Sequence, residues 1–104
     1  MAVEHLTDET FESAITQGVT LVDFFATWCG PCKMLGPTIE EISEECDGSF
    51  KVYKVDIDEC EDAAMDMGIM SVPTLIVFKD GEEAERMIGV QPKAAILNAV
   101  NSVK

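Results

Sequence analysis

The chain has 104 residues, the length of one domain, and 47% of them are hydrophobic, which is enough for a single core. Its 7 lysines and arginines against 20 aspartates and glutamates give a net charge of −13, which argues against nucleic acid or an anionic membrane as a partner, because phosphates need cationic surfaces. No apolar stretch approaches the roughly 18 residues that span a bilayer, and the N-terminus lacks the pattern of a signal peptide, so we predict one cytoplasmic domain over residues 1–104.

The N-terminal part of the sequence predicts a short strand, a helix and a long apolar strand. The short strand lies near Val3–Leu6, and the helix over residues 7–18 has apolar residues at helical spacing until Gly18 ends it. Residues 19–26, "VTLVDFFA", are apolar on both faces of a strand. That pattern is typical of a central strand covered from both sides.

Residues 30–46 predict an amphipathic helix. Its apolar positions recur at i, i+4, i+7 and i+11 and comprise Leu35, Ile39, Ile42 and Cys46. Pro37 lies inside this helix and predicts a kink, which the preceding Gly36 softens. The position of Cys46 on the apolar stripe predicts a buried free thiol, with redox regulation as the alternative.

The second half predicts a strand, a short helix, a hairpin and a final helix. Residues 50–57 alternate polar and apolar, and Asp58 with Glu61 resembles a capping box that opens a short helix ending at Gly68. Residues 74–89 predict a hairpin around an Asp-Gly turn. A helix then begins at Pro92, with one apolar face made of Ile96, Leu97, Val100 and Val103.

The order of the predicted elements is βαβαβαββα. Alternating strands and helices imply right-handed parallel crossovers, and the closing hairpin adds antiparallel strands. The sequence therefore predicts an α/β fold with a mixed sheet and helices on both faces.

Two cysteines, Cys29 and Cys32, lie where the predicted central strand gives way to a helix. At a helix N-terminus unpaired N–H groups and the helix dipole lower a thiol pKa, and open α/β sheets place sites at the carboxyl ends of their strands. Two intervening residues let the sulfurs close a disulfide, so we predict a reversible couple with the more exposed Cys29 as nucleophile and Cys32 as resolving thiol. The alternative is half of a zinc site, but the remaining candidate ligands, Cys46, Cys60 and His5, are isolated.

Asp23 interrupts the apolar strand just before the two cysteines. Leu21 and Phe25 share its face and the opposite face is also apolar, so we expect a buried carboxylate with a raised pKa. Such a group can take the proton that Cys32 loses, directly or through a water. A solvated Asp on an edge strand is the alternative.

"VDFFATWCGPC", followed by "SVPTLIVFKDGE" and "IGV", resembles the thioredoxin family over essentially the whole chain. The resemblance implies the thioredoxin fold, a mixed five-stranded sheet flanked by four helices. It implies a monomeric protein-disulfide reductase that acts on disulfide-containing proteins, is regenerated by a thioredoxin reductase and needs no cofactor or metal. The rivals are a disulfide oxidase or isomerase on the same fold, and an assembly module whose redox chemistry is incidental.

The resemblance also implies roles for individual residues. It makes Cys29 the attacking thiol, Cys32 the resolving thiol and Asp23 the proton acceptor, with Lys54 beside that carboxylate. Pro73 matches a cis-proline that faces the disulfide. The apolar rim on which substrate lies comprises Trp28, Gly30, Pro31, Val72, Pro73, Gly89 and Val90. Phe25 departs from the family pattern, in which many members carry tryptophan.

The remaining cysteine, histidine and methionine residues have plain interpretations beside functional ones. We expect Cys60 to be a quiet structural thiol, with oxidation or dimerisation as the alternative. His5 is expected to be solvated at a strand edge. The methionines near Val72 are expected to be core filler or adaptable surface beside the substrate groove, and comprise Met65, Met67 and Met70.

Overall fold

The computed structural model describes residues 3–104 as a mixed five-stranded sheet with helices on both faces. The elements in chain order are β1 (Glu4–His5), α1 (Asp8–Ile15), β2 (Val19–Phe25), α2 (Gly30–Glu45), β3 (Lys51–Asp56), α3 (Glu61–Asp66), β4 (Thr74–Lys79), β5 (Glu82–Ile88) and α4 (Lys93–Val103). Both the order and the mixed sheet confirm the predicted fold class. Between residues 3 and 104, no helix is long and apolar enough to cross a bilayer.

The sheet has the strand order β1-β3-β2-β4-β5, with β2 at its centre. β3 runs parallel to β1 and β2, whereas β4 is antiparallel to both β2 and β5. All seven residues of β2 are buried, as expected for a strand covered from both sides. Asp23 lies opposite Lys54 and Lys54 opposite His5, so the three form one row across the sheet.

Side chains of β2 alternate between two cores, one on each face of the sheet. Leu21 packs with α2 and α4 in a core that also holds Leu35, Ile39, Ile96 and Val100. Val22 and Phe24 pack with α1 and α3 in a core that also holds Phe11, Ile15 and Ala63. The two cores fix both ends of β2, including the end that leads into the two cysteines.

Local sequence patterns predicted most turns and helix ends correctly. Asp80 and Gly81 have φ angles of 51° and 90°, the left-handed pair that a tight hairpin turn requires. The first helix is shorter than predicted: it ends at Ile15, and Gly18 follows in a left-handed conformation with φ 76°. α2 continues through Pro37 to Glu45.

The predicted capping box of Asp58 and Glu61 is wrong. α3 begins at Glu61 with Cys60 as its N-cap, and the Cys60 side chain makes no capping hydrogen bond. The capping oxygen comes from α1, because Asp8 Oδ1 accepts the Ala63 N–H at 2.9 Å. A cap supplied by a distant part of the chain leaves no local pattern around the helix that it caps.

Candidate active site

Cys29 and Cys32 form a disulfide at the N-terminus of α2, with their Cα atoms 5.3 Å apart. Cys29 is the N-cap in an extended conformation, and Pro31 lies in the first turn, where a missing N–H costs no hydrogen bond. The pair is thus closed as predicted for a redox couple. Within residues 3–104 no group of three or more histidine, cysteine, aspartate or glutamate side chains is placed to hold a metal ion.

The first turn of α2 is built to stabilise negative charge on the Cys29 sulfur. The Cys32 N–H donates to Cys29 Sγ at 3.1 Å. No acidic residue lies in that turn, so nothing there offsets the positive end of the helix dipole. After reduction these features favour the thiolate of Cys29.

Both cysteines are almost fully buried in the disulfide form. Cys29 is 4% exposed and Cys32 is 5% exposed, so the prediction of a more exposed Cys29 is wrong for this state. The cover comes from outside the helix: Cys29 Sγ lies 3.7 Å from the carbonyl oxygen of Val72, and Phe25 and Ala26 pack against the pair. The positions of the two cysteines relative to α2 do not predict that the distant segment around Val72 covers Cys29.

Asp23 is buried in β2, as predicted, with 0% of its surface exposed. Neither carboxylate oxygen has a hydrogen-bond partner among the described residues. Loss of solvation raises the pKa of Asp23 to about 6, and the charge of Lys54 opposes this rise. The alternative of a solvated edge-strand aspartate is therefore wrong, and near neutral pH this carboxyl group can both accept and release a proton.

Phe25 joins the row of polar side chains to the disulfide. The Lys54 Nζ lies 4.6 Å from the centroid of its ring, and the His5 ring meets it edge-on at 5.4 Å. His5 is exposed on the edge strand, as predicted, but the sequence did not reveal its contact with Phe25. A cleft of about 260 Å³ opens here, with a lining that includes Phe25, Ala26, Cys32, Lys33, Gly36 and Lys54.

A partly apolar surface surrounds the covered disulfide on its other side. Trp28 is 68% exposed, and its indole is held by a 2.8 Å hydrogen bond from Nε1 to Asp58 Oδ2. The Val72–Pro73 peptide bond is cis, as the resemblance implied, and the Gly89 N–H donates to the Pro73 carbonyl at 2.8 Å. Gly30, Pro31 and Val90 are exposed, Val72 and Gly89 are half-buried and Pro73 is buried.

Asp58 has a different role from the one that the sequence predicted. Instead of capping α3, it accepts the Trp28 indole N–H. Its own N–H donates to Asp56 Oδ1 at 2.9 Å. The available signal was its place just beyond the carboxyl end of a parallel strand, the same edge of the sheet where the cysteines lie.

The free cysteines lie away from this site. Cys60 is 2% exposed and its Sγ donates to the Leu6 carbonyl at 3.3 Å. Burial, followed by the charges of Asp8, Asp56 and Glu59, raises its pKa, which favours the interpretation as a quiet structural thiol. Cys46 is half-buried just past α2 rather than fully buried, and its Sγ lies 2.6 Å from the Phe50 carbonyl oxygen.

The three methionines divide between core and surface. Met67 packs against the core beneath α3, as core filler should. Met65 and Met70 are 77% and 97% exposed, so for these two the core interpretation is wrong.

Comparisons with known proteins agree with this geometry. A family model described as thioredoxin matches residues 2–102. The chain is 47% identical to a thioredoxin of Staphylococcus saprophyticus over 100 residues, 96% of each chain, and 46% identical to one of Bacillus subtilis over 101 residues, 97% of each. The solved structure of a mutant thioredoxin from Halobacterium salinarum has a TM-score of 0.89 at 35% identity, covering 98% of this chain and 90% of its own.

The disulfide, the fold and the relatives lead to one assignment. The sequence relatives match nearly end to end, and the structural neighbour shares the arrangement of the sheet and helices. The Cys29–Cys32 disulfide stands at the start of α2 within the matched residues. The chain therefore belongs to the thioredoxin family and is a thiol–disulfide oxidoreductase that reduces protein disulfides.

Proposed function

We propose that Cys29 is the attacking thiol and Cys32 the resolving thiol of this reductase. The Cys29 thiolate attacks a substrate disulfide, forms a mixed disulfide and expels one substrate thiolate. Cys32 then attacks Cys29 Sγ, which re-forms the Cys29–Cys32 bond and releases the second substrate thiolate, so that the substrate gains two electrons. The observation that carries this proposal is the 3.1 Å hydrogen bond from the Cys32 N–H to Cys29 Sγ at the helix N-terminus.

Asp23 acts as the general base for Cys32 in this scheme. Resolution requires the Cys32 thiol to lose its proton, and a carboxyl group with a pKa of about 6 is suited to accept it near neutral pH. Asp23 shares a strand face with Phe25, which packs in the same cluster as Cys32, and the proton passes from Cys32 to Asp23 directly or through a water. Lys54, opposite Asp23 in the sheet, favours the ionised carboxylate and limits the rise of its pKa.

Substrate proteins lie on the rim next to the disulfide. An extended substrate segment pairs with the backbone beside Pro73, which presents the substrate sulfur to Cys29. Trp28, held in place by Asp58, supplies a broad apolar contact. The complete rim comprises Trp28, Gly30, Pro31, Val72, Pro73, Gly89 and Val90.

The remaining parts of the proposal concern partners and cellular context. A thioredoxin reductase restores the dithiol, and the net charge of −13 suits partners with a basic docking face. The protein works as a cytoplasmic monomer and a single domain over residues 1–104. It takes part in electron transport without a prosthetic group or metal and without nucleic acid or membrane partners.

The test is to trap the first intermediate. A Cys32→Ser variant should accumulate a mixed disulfide between Cys29 and a protein substrate such as insulin, and Cys29→Ser should accumulate none. An adduct on Cys32 in the Cys29→Ser protein would reverse the assigned roles. The potential of the pair, titrated against dithiothreitol, should fall below the glutathione pool, with about 30 mV for each 1.4 kcal/mol; a value near the oxidising end would indicate an oxidase.

A further inference from the structure

Arg86 on the edge strand β5 makes a polar contact with the C-terminal end of α3. Its Nη2 donates to the Met67 carbonyl oxygen at 2.6 Å. Met67 is the C-cap of α3, where backbone carbonyls lack partners within the helix and a cation beside them is favourable. Glu83 holds the same guanidinium, because its two carboxylate oxygens accept from Arg86 Nε and Nη2 at 2.8 Å each. Such a two-point contact fixes the plane and the position of the guanidinium.

A β-bulge in β5 places Glu83 and Arg86 on the same face of the sheet. Residues three apart in a regular strand point to opposite faces. Here Arg86 lies opposite Ile76 and Glu83 lies opposite Phe78, so β5 carries one extra residue between them. Ile76 and Phe78 both belong to the core that packs with α1 and α3. The bulge therefore turns both members of the pair towards the face that carries α3.

Residues 67–73 connect the end of α3 to the cis-proline beside the disulfide. Within this segment the Val72 carbonyl oxygen lies 3.7 Å from Cys29 Sγ. β5 also contacts the far end of the segment, because the Gly89 N–H donates to the Pro73 carbonyl oxygen at 2.8 Å. One edge strand thus makes hydrogen bonds to both ends of the segment that covers the nucleophile.

We propose that Arg86 is a positioning residue for protein substrates, because its bond to the Met67 carbonyl fixes residues 67–73 for pairing with an extended substrate segment. The proposal rests on the proposed rim, in which substrate backbone pairs beside Pro73. Without this bond the segment must be ordered when the substrate binds, and that ordering costs binding free energy. A small disulfide needs only access to Cys29, so its reaction does not depend on Arg86.

The first experiment compares a protein disulfide with a small one. Reduced protein is mixed with insulin or with hydroxyethyl disulfide and quenched in acid, and its remaining thiols are alkylated and counted by mass spectrometry. The ratio of the two second-order rate constants measures the preference for a protein substrate, whatever the nucleophilicity of Cys29. Arg86→Met keeps an apolar stem without donors, and we expect it to lower this ratio about threefold to tenfold while the small disulfide reacts within about twofold of the parent rate. Arg86→Lys, which keeps a charged donor but not the planar fork, should give an intermediate ratio.

Lys51→Met is the matched control for the loss of a cation bonded to a helix end. Lys51 Nζ donates to the Ala14 carbonyl oxygen in the last turn of α1 at 3.1 Å, so it also joins a strand to the C-terminal end of a helix. Lys51 begins β3 and lies opposite Thr20 near the start of β2, at the end of the sheet away from the cysteines. We expect Lys51→Met to leave the ratio unchanged.

The second experiment follows the segment itself by amide hydrogen exchange of the reduced protein. Peptides that cover residues 67–72 should exchange about threefold to tenfold faster in Arg86→Met than in the parent, because a local contact that opposes opening is lost. Peptides from α4 should exchange at the parent rate. Circular dichroism of each variant confirms that it is folded.

Three results would overturn the role of Arg86: an unchanged ratio in folded Arg86→Met, an equal fall in Lys51→Met, or unchanged exchange of residues 67–72. Trp28→Ala distinguishes this failure from a failure of the proposed rim, because Trp28 belongs to the rim and its loss should lower the same ratio. If Trp28→Ala lowers the ratio and Arg86→Met does not, only the role of Arg86 is wrong. If Trp28→Ala leaves the ratio unchanged, the rim itself is wrong.

Discussion

Two cysteines of this protein stand at the same kind of position, the N-cap of a helix, and have opposite chemistry. Cys29 opens α2 and is joined to Cys32 in the disulfide. Cys60 opens α3 and is a buried free thiol with a raised pKa. A helix N-terminus is therefore not sufficient to activate a cysteine.

The difference lies in what occupies the first turn of each helix. In α2 the sulfur itself receives an N–H, and no acidic residue is present in that turn. In α3 the first turn carries Glu61 and Asp62, and the Ala63 N–H is taken by Asp8. Burial, followed by the charges of Asp8, Asp56 and Glu59, disfavours the Cys60 thiolate, and the N-terminus of α3 binds the Asp8 carboxylate instead.

Removal of each sulfur is the strongest test of this contrast. Cys29→Ser should abolish insulin reduction, a loss on the order of 10⁴-fold or more, because the nucleophile is gone. Cys60→Ser should keep full activity, because the Cys60 sulfur donates to the Leu6 carbonyl, away from the disulfide. The rate of insulin reduction at matched protein concentration measures the activity of both variants, and circular dichroism confirms that each variant is folded. Loss of activity in the folded Cys60→Ser protein would contradict the quiet role.

Alkylation rates sharpen the same contrast in the reduced, unmodified protein. At pH 7 we expect Cys29 to react with iodoacetamide about a thousandfold faster than Cys60, because the N-terminus of α2 favours the Cys29 thiolate whereas burial and nearby negative charges raise the pKa of Cys60. Peptide mapping at successive times gives both rates in one sample. In denaturant the two rates should converge within about threefold; comparable rates in the folded state would show that Cys60 is accessible and reactive.

Asp23 extends the comparison to the active site. Its carboxyl group is buried like the Cys60 thiol, but the charge that acts on it is the positive charge of Lys54. Its folded pKa of about 6 lies above the ordinary value of 3.8, so the folded state binds more protons between these pH values. The stability due to the protonated form is fully present below about pH 4 and is lost as the pH rises through 6. The loss amounts to about 3 kcal/mol, at 1.36 kcal/mol for each pKa unit.

Asp23→Asn should remove this pH dependence. The free energy of unfolding of the oxidised proteins, measured in urea, gives the difference between the variant and the parent at each pH. We expect this difference to be about 3 kcal/mol more favourable to the variant at pH 8 than at pH 4. Resolution of a trapped mixed disulfide near neutral pH should slow at the same time, because the proton acceptor is gone. A stability difference that does not change with pH would mean that Asp23 is ionised throughout this range.

The sequence was sufficient for the fold because its signals were local and mutually consistent. The apolar run of β2, the Asp80–Gly81 turn and the apolar face of α4 each determine an element within a few residues. The burial of Asp23 also followed from its strand neighbours. The cysteine pair, its place before a helix and the downstream proline gave the remainder of the site through the family resemblance.

What the sequence could not supply were contacts between distant segments. The cover that Val72 places over Cys29, and the Trp28 indole bonded to Asp58, join residues 43 and 30 positions apart. The Asp8 cap of α3 spans 55 positions. Periodicity and spacing describe neighbours along the chain, so they do not predict contacts between residues that are far apart in the sequence.

The smallest expected effect comes from a change at Asp8, which should make the reactivity of Cys60 more like that of Cys29. Asp8→Ala removes the carboxylate that caps α3 and the first of the three charges that raise the Cys60 pKa. We expect a loss of about 1 kcal/mol in the free energy of unfolding and an increase of a few fold in the alkylation rate of Cys60. Glu9→Ala is the matched control, because Glu9 is acidic and lies in the same first turn of α1. If Glu9→Ala accelerated Cys60 labelling as much as Asp8→Ala, the effect would belong to α1 as a whole, and occupation of the α3 N-terminus would not explain why Cys60 is quiet.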